Sequence, residues 1–212
     1  MRRIALLALV ALGLAPSAEA RGVPGQFDYY VLSLSWSAGW CALTGDARRD
    51  PQCAAGRGLN FTLHGLWPQN RVGYPADCTS AMRPPSRAET AAMADITGSA
   101  GLAWHEWKKH GTCSGLSPRA YFSAARQAYD SVKIPEALRD LKRPIRVKPD
   151  VVVEAFLEAN PRLKRSDIAV TCDSGRMQEV RICLTKALAP RPCSAEAAQS
   201  CRLPAVQLDP VR

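Results

Sequence analysis

All three histidines of the chain fall in two short, aromatic-rich segments. The segment FTLHGLWPQN contains His64, and the segment WHEWKKHGTC contains His105 and His110 together with Glu106 and Lys109. Imidazole exchanges protons near neutral pH, so two histidines in opposite protonation states can act as general base and general acid. A lysine can stabilise negative charge that develops during a reaction. These residue types therefore predict a site for acid–base chemistry.

The second segment gains a defined geometry if it is helical. At about 100° per residue, His105 and His110 lie about 140° apart around the axis, with Lys109 and Glu106 on the arc between them. The opposite arc holds the remaining side chains, Trp104, Trp107 and Lys108. We expect the tryptophans to pack behind the polar arc and Gly111 to end the helix.

Such a group of side chains suits phosphoryl transfer within RNA. The ribose 2′-OH is a nucleophile already held beside the phosphorus. A protein therefore needs only to remove its proton, protonate the departing 5′-oxygen and stabilise the charged phosphorane. This reaction requires no metal ion, and DNA lacks the hydroxyl that starts it. The helical projection leaves open which histidine is the base and which is the acid.

Three alternatives compete with this interpretation. In the H-E-x-x-H motif of zinc proteases the two imidazoles lie four residues apart on one helical face. Here the spacing is H-E-x-x-x-H, which is about 140° around a helix and makes a poor chelating pair. Histidines with purely structural roles are disfavoured because all three cluster in two segments. A basic polyanion-binding protein without catalysis would have no need of the acid–base pair.

Strict period-2 alternation predicts the strands that position the first segment. In YVLSLSWS apolar residues alternate with serine, and LNFTLHG alternates in the same way. Side chains on alternating positions of a strand point to opposite faces of the sheet. His64 is therefore predicted to end its strand on the polar face, directed at a cleft. Near the other end of the chain, IAVTC and QEVRICLTK predict a pair of strands with Val180, Ile182 and Leu184 pointing inward.

Other segments carry helix and loop signals. Residues 71–86 are predicted to form an irregular loop, because glycine and proline recur there. SRAETAAMADI predicts a helix capped by Ser86, and Ser117-Pro118 predicts the start of a helix through RAYFSAARQAYDSV. PDVVVEAFLEAN predicts a helix stopped by Pro161, with a valine-rich strand as the competing interpretation. The mixture predicts an α+β domain.

Residues 1–20, MRRIALLALVALGLAPSAEA, have the pattern of a signal peptide. Two arginines are followed by an apolar run too short to span a bilayer comfortably, and Ala18-Glu19-Ala20 offers a cleavage site. A retained N-terminal anchor is the less favoured alternative. We therefore expect a protein exported to the periplasm or the extracellular space, without stable membrane association. Residues 21–212 are expected to form one domain.

Charge and cysteine content agree with an exported protein that has an anionic partner. The formal net charge is +9, and removal of two arginines and one glutamate with residues 1–20 leaves +8. Such an excess favours binding to polyanions such as nucleic acids. All eight cysteines lie beyond residue 20, and an even number in an exported chain predicts disulfides. About 105 pairings remain possible for eight cysteines.

FTLHGLWPQ and HEWKKHGTC closely resemble the two active-site segments of the ribonuclease T2 family. YYVLSLSWSAGWC resembles the first core strand of that family, and the resemblance extends from about Phe27 to Cys201. It implies an α+β fold with a central antiparallel sheet flanked by helices. It also implies endonucleolytic cleavage of single-stranded RNA, without metal or other cofactor, through a 2′,3′-cyclic phosphate to a 3′-phosphate. We expect the protein to act as a monomer.

The resemblance also implies roles for the residues that match the family motifs. His110 would be the general base and His64 the general acid. His105 would bind phosphate, and Glu106 and Lys109 would stabilise the transition state.

Base recognition is implied for three further residues. Trp67 would stack on a base, although a core tryptophan held by Pro68 is the alternative. Gln69 stands where some members of the family carry a base-reading aspartate, so base preference is not carried over. Tyr74 would offer a second stacking surface.

The cysteine pattern of the family implies a specific set of disulfides. These are Cys78–Cys113, which would join the two active-site segments, the nested pair Cys172–Cys201 and Cys183–Cys193, and the remaining pair Cys41–Cys53.

Overall fold

The computed structural model of the protein describes residues 22–212, so the predicted signal peptide lies outside the described residues. The strands are β1 (Tyr29–Trp36), β2 (Phe61–Gln69), β3 (Ile145–Val147), β4 (Ile168–Asp173), β5 (Arg176–Leu184) and β6 (Val206–Leu208). The helices are α1 (Ser37–Trp40), α2 (Arg87–Ala91), α3 (Ala94–Thr97), α4 (Ala100–Lys109), α5 (Pro118–Asp130), α6 (Glu136–Arg139) and α7 (Pro149–Ala159). Short non-α turns occupy Cys41–Gly45, Pro51–Cys53, Gly111–Ser114 and Arg165–Asp167.

The strands form one sheet in the order β2-β1-β5-β6-β3, with β4 paired to β5 beside this path. The ladders β1–β2, β1–β5, β4–β5 and β3–β6 are antiparallel. A single parallel pair, Arg176 with Gln207, joins β5 to β6. The predicted α+β fold with an antiparallel sheet flanked by helices is confirmed.

Alternation along the strands separates the two faces of the sheet. One face packs against apolar side chains of α4, α5 and α7 to form the main core. The members of this core include Leu32, Leu34, Trp36, Phe61, Trp107, Tyr121, Phe122 and Phe156. The predicted inward residues of β5, Val180, Ile182 and Leu184, belong to this core. The other face has only a small apolar cluster around Tyr29 and Val31. Polar side chains can therefore occupy the rest of that second face.

The prediction that His64 ends its strand is wrong, because β2 continues to Gln69. Ser33 pairs with Gly65 and Leu34 pairs with Leu63, so His64 is an extra residue in the ladder. This β-bulge changes which positions face the core: Leu63 lies there before it and Leu66 after it. A regular alternation therefore stops at His64 although the strand does not.

The predicted helices form, with one difference. Ser86 caps α2 in a reciprocal capping box with Glu89, but the segment divides into α2 and α3 instead of forming one helix. Ser117 caps α5, and Pro118 is its first residue, as predicted. The valine-rich segment is the helix α7 and not a strand, since Pro149 begins it and its apolar residues reach the core at helical spacing.

Four disulfides join Cys41 to Cys53, Cys78 to Cys113, Cys172 to Cys201 and Cys183 to Cys193. These are the pairs that the family resemblance implies. Cys78–Cys113 ties the loop before α2 to the turn after α4. Within residues 22–212, no helix has the length and apolar character needed to cross a bilayer.

Candidate active site

Helix α4 carries His105, Glu106 and Lys109, and His110 follows directly as its C-cap. Ser99 caps the first turn of the helix, and its last residue is Lys109, so the helix ends just before Gly111, as predicted. His110 has φ −120° and ψ −44°, and its amide still donates to the carbonyl of Glu106 at 2.9 Å. The helix therefore directs the rings of His105 and His110 to different places, one exposed and the other buried.

The prediction for the tryptophans of this helix holds for one of them. Trp107 is buried and packs against Tyr121 and Phe122 at ring-centroid distances of 5.7 and 6.4 Å. Trp104 is 38% exposed, so its predicted packing behind the polar arc is wrong. A position on the arc opposite the site does not ensure burial, because α4 contacts the core only along a narrow stripe.

A cleft of about 290 Å³ brings together every residue predicted for catalysis and base binding. Those residues are His64, Trp67, Gln69, Tyr74, His105, Glu106, Lys109 and His110. Arg181 also lines the cleft, although the sequence did not lead us to predict it. The cleft lies between strand β2, which carries the first segment, and helix α4, which carries the second.

His64 is held by carboxylates on two sides. Its Nδ1 lies 2.5 Å from Oε1 of Glu179, and its Nε2 lies 3.7 Å from Oε1 of Glu106. Burial favours the neutral ring, but the hydrogen bond and negative charge of Glu179 outweigh it, so the pKa of His64 is raised above its usual value. Glu179 therefore stabilises the imidazolium form of His64 relative to the neutral ring.

Glu106 is 4% exposed and accepts a hydrogen bond of 2.6 Å from the indole nitrogen of Trp67. A methyl group at Gly65 would collide with both partners of this bond, so the position needs a residue without a side chain. Burial raises the pKa of Glu106, although the charge of His64 and the indole hydrogen bond act in the opposite direction. The carboxyl is thus fixed beside His64 by residues of the neighbouring strand.

His110 occupies a different electrostatic environment. It is 6% exposed, and its ring stacks on Trp67 with centroids 5.2 Å apart and planes inclined by 30°. Burial lowers the pKa of His110 to about 3, with a further contribution from the positive charge of Lys109. Its Nδ1 is buried without a hydrogen-bond partner among the described residues. His110 is therefore neutral at pH values where His64 carries a proton.

The other two residues of the helix supply an exposed ring and a cation. His105 is exposed, and burial together with the charge of Lys109 lowers its pKa. Lys109 is half-buried and lines the cleft. An anion that enters the cleft would therefore meet a lysine and a histidine side by side.

The residues expected to bind bases differ in accessibility. Trp67 is half-buried and lines the cleft, so the alternative of a core tryptophan is not what the structure shows. Its ring contacts His110, the edge of His64 at 5.1 Å and the guanidinium of Arg181 at 5.3 Å. Gln69 is buried at the end of β2, whereas Tyr74 is 50% exposed. Tyr74 thus has the more accessible ring.

The sequence analysis missed two charged residues beside His64: Arg181, which lines the cleft, and Glu179, which contacts the ring of His64. They occupy alternate positions of β5, opposite the inward-facing Val180 and Ile182. The signal was present, since the same alternation that buries the apolar residues places two charges on the other face. The pattern alone does not reveal that the side chain of His64 lies on the same face of the sheet as these two charges.

No group of three or more histidine, cysteine, aspartate and glutamate side chains within residues 22–212 is arranged to hold a metal ion. The imidazoles of His105 in α4 and of His110 at its C-cap differ in burial, and Glu179 and Glu106 contact the imidazole of His64. In the described part of the chain, the potential metal-binding side chains in and beside the cleft thus form contacts between His64 and the two glutamates and do not converge on a common point.

Comparison with known proteins agrees with the motifs. The model of the Ribonuclease T2 family matches residues 27–193. A ribonuclease of Aeromonas hydrophila is 43% identical over 127 residues, which cover 59% of this chain and 56% of that protein. The chain spans about half the length of the bacterial relatives that it matches.

Solved structures share the fold. An RNase-related protein from Calystegia sepium has a TM-score of 0.70 at 24% identity, covering 88% of this chain and 98% of its own. RNase NT, solved in complex with 5′-AMP, has a TM-score of 0.61 at 23% identity, covering 86% of this chain and 97% of its own.

Proposed function

The chain belongs to the ribonuclease T2 family, and from this premise we propose that it is an endoribonuclease that cleaves single-stranded RNA. The reaction is an acid–base transphosphorylation that needs no metal. It forms a 2′,3′-cyclic phosphate, which is then hydrolysed to a 3′-phosphate.

The observation that carries this proposal is the opposite protonation preference of two histidines in one cleft. Glu179 favours the imidazolium of His64, whereas burial keeps His110 neutral. Both rings contact Trp67, with centroids 5.1 and 5.2 Å from it. An acid and a base must be present together for a concerted transfer of two protons, and this pair supplies them.

In the first step, neutral His110 takes the proton of the ribose 2′-OH, and the oxygen attacks the adjacent phosphorus. His64 donates its proton from Nε2 to the departing 5′-oxygen, which leaves as a hydroxyl group. The products are a 2′,3′-cyclic phosphate, a protonated His110 and a neutral His64. In the second step the roles reverse: His64 deprotonates water, and His110 protonates the 2′-oxygen as the ring opens.

Charge that develops on the phosphorane needs stabilisation from the same cleft. Lys109 provides a fixed cation, and His105 lies beside it to contact a non-bridging oxygen. Glu106 is buried beside His64 and fixed by Trp67, so it is a rigid hydrogen-bonding group for the same centre. Preorganised groups of this kind stabilise a transition state without reorganising during the reaction. The negative charge of the bound phosphate also raises the pKa of His110, so His110 is a stronger base when substrate is bound.

RNA is the proposed substrate because the mechanism starts at a 2′-OH and the chain as a whole is basic, with a formal net charge of +9. Unpaired bases stack on aromatic side chains, so Tyr74 and Trp67 are proposed to bind them, with Gln69 as a hydrogen-bonding neighbour. We propose further that the protein is exported, that residues 21–212 act as one domain and that the active form is a monomer. Four disulfides support a location outside the reducing cytoplasm.

A basic RNA-binding protein without catalysis is the competing function. One assay separates the two: purified protein is incubated with single-stranded RNA and with DNA of the same sequence, each with and without EDTA. The proposal expects cleavage of RNA alone, at an unchanged rate in EDTA. His64→Ala and His110→Ala should each lower the rate by at least about a hundredfold.

Product end groups give the sharper result. A 2′,3′-cyclic phosphate that converts slowly to a 3′-phosphate reports attack by the 2′-OH. A 5′-phosphate product, or full activity in His110→Ala, would contradict the mechanism. RNA binding without cleavage by the unmutated protein would favour the competing function.

A further inference from the structure

We propose that Glu179 is a positioning residue for His64, and that Arg181 in turn holds Glu179. The inference rests on the proposed function, in which His64 is the acid that protonates the leaving group. In this arrangement Glu179 fixes the ring by Nδ1 and thereby directs Nε2 into the cleft. It also stabilises the protonated ring until His64 donates its proton to the departing 5′-oxygen.

The contacts of Glu179 use both oxygens of its carboxylate. Oε1 lies 2.5 Å from Nδ1 of His64, and Oε2 accepts from Nε of Arg181 at 2.8 Å and from its Nη2 at 2.7 Å. The residue is 6% exposed, so water does not compete strongly for these bonds. A buried carboxylate held between an imidazole and a guanidinium has a single orientation available, and it transmits that orientation to the ring.

The sheet explains how residues 115 positions apart in the chain meet. Strand β1 lies between β2 and β5, and its Ser33 and Ser35 pair with Arg181 and Glu179 on one side. Adjacent strands lie about 4.8 Å apart, so a side chain of β5 reaches β2 only by crossing above β1. Serine is small enough to permit that crossing. The bulge at His64 then turns its side chain from the regular register of the ladder.

The balance of charges around His64 shows why a second carboxylate is needed. From α4 and its C-cap the ring faces Glu106 together with the cationic Lys109 and the titratable His105 and His110. From β5 it faces Glu179 and Arg181. Burial and the nearby cations disfavour the imidazolium, and Glu179 makes the direct hydrogen bond that opposes them. Burial opposes ionisation of Glu179, but His64 and, to a smaller extent, Arg181 lower its pKa, so the carboxylate stays ionised. The charge of Arg181 also moderates the effect of Glu179 on the ring.

The direct test is the pKa of His64, measured by NMR titration of the imidazole signals. The chain has only three histidines, so single His→Gln variants assign the signals. Glu179→Gln should lower the pKa of His64 by about one unit or more, since an adjacent opposite charge typically shifts a pKa by 1–3 units. Arg181→Met should raise it, because a positive charge near the ring is lost. Glu196→Gln is the matched control: this exposed carboxylate borders the cleft and accepts from the amide of Gly73, and we expect no change.

Enzyme kinetics provide a second measurement that a purely structural role would not reproduce. In Glu179→Gln the alkaline limb of the kcat/KM profile should move to lower pH together with the pKa of His64. A variant that only destabilises the fold would lower kcat/KM by the same factor at every pH. That uniform loss, or a pKa of His64 in Glu179→Gln equal to that of the unmutated protein, would overturn the proposal.

The titration does not require activity, so it separates this inference from the proposed function. If the unmutated protein does not cleave RNA, a lowered pKa of His64 in Glu179→Gln would still establish the contact while the catalytic role fails. If Glu179→Gln does not fold, Glu179→Asp carries the test, because it keeps the charge but is too short to hold Nδ1 of His64 in the same way. A lowered pKa of His64 in Glu179→Asp then supports the proposal, and an unchanged pKa overturns it.

Discussion

The indole nitrogen of Trp67 donates a hydrogen bond of 2.6 Å to Oε2 of Glu106. This bond joins strand β2 to helix α4, so the two histidine-containing segments are connected within the cleft itself. One face of the same indole stacks on His110, and its plane meets the edge of His64. Trp67 therefore fixes His64, His110 and Glu106 relative to one another.

Removing this bond should impair catalysis more than folding. We expect Trp67→Phe to lower kcat/KM by about tenfold or more, since hydrogen bonds to charged groups contribute about 1.5–3 kcal/mol. Gly65→Ala, which would collide with both partners of the bond, should have a similar effect. Steady-state kinetics and thermal unfolding would be measured together. Gly73→Ala is a control for replacing a glycine in general, because a methyl group there has open space, although its positive φ adds some strain. Unchanged kinetics in Trp67→Phe would show that the bond is dispensable.

The pH dependence of kcat/KM should be bell-shaped with its maximum on the acidic side of neutrality. The rate should rise with pH through the His110 pKa of about 3 and fall as pH rises through the His64 pKa, which lies above 6.5. The acidic limb of kcat should lie at higher pH than that of kcat/KM, because the bound phosphate stabilises protonated His110. A dinucleoside monophosphate assayed at constant ionic strength from pH 3 to 9 tests both statements. A maximum above pH 8 would be inconsistent with the acid–base assignment.

Burial of neutral His110 should make the fold less stable in acid. The native pKa is about 3 and the ordinary value is 6.5, so the unfolded chain binds the proton first and stability decreases as pH falls through that interval. Between pH 7.5 and 4.5 this linkage corresponds to about 2–3 kcal/mol. Over the same pH range, the free energy of unfolding of His110→Gln should decrease by about 2–3 kcal/mol less than that of the unmutated protein. Urea unfolding at the two pH values gives the difference, and equal losses would mean that the ring is not held neutral.

The disulfide between Cys78 and Cys113 closes a separation of 35 residues, whereas Cys183–Cys193 closes one of 10. In the chain-entropy model these contribute about 4 and about 3 kcal/mol respectively. Replacing both cysteines of the first pair with alanine should therefore be the more destabilising change. It should also raise KM, because the bond ties the turn after His110 to the loop that carries Tyr74. Denaturant unfolding and steady-state kinetics of both double variants are the measurements. An unaltered KM in the Cys78/Cys113 variant would argue against that positional role.

Tyr74 is the accessible ring of the cleft, with its centroid 6.1 Å from that of His110. If it stacks on a base, Tyr74→Ala should raise KM by about tenfold with little change in kcat, since such stacking contributes about 1–3 kcal/mol per base. Tyr74→Phe keeps the ring and should behave like the unmutated protein. Steady-state kinetics on a short single-stranded substrate would show the difference, and equal KM values for the alanine and phenylalanine variants would exclude stacking.

The sequence alone predicted most of the residues that line this cleft and most of the elements that carry them. Three histidines in two segments, with Glu106 and Lys109 between two of them, indicated proton transfer before any fold was considered. Local signals also sufficed for β1 and α5, because alternation and a Ser-Pro start act over a few residues, and they favoured the helix α7 over a strand. These features depend on residues that are close together in the chain, so the sequence pattern reveals them directly.

Only the tertiary structure decided how the histidines differ. The bulge at His64 depends on the register between two strands, and the contact with Glu179 joins residues 115 positions apart. The burial of His110 and the exposure of Trp104 depend on which elements pack over α4. Since a pKa is set by burial and by charges that neighbour in space, the protonation states of His64 and His110 follow from the packed sheet and helix and not from the order of residues.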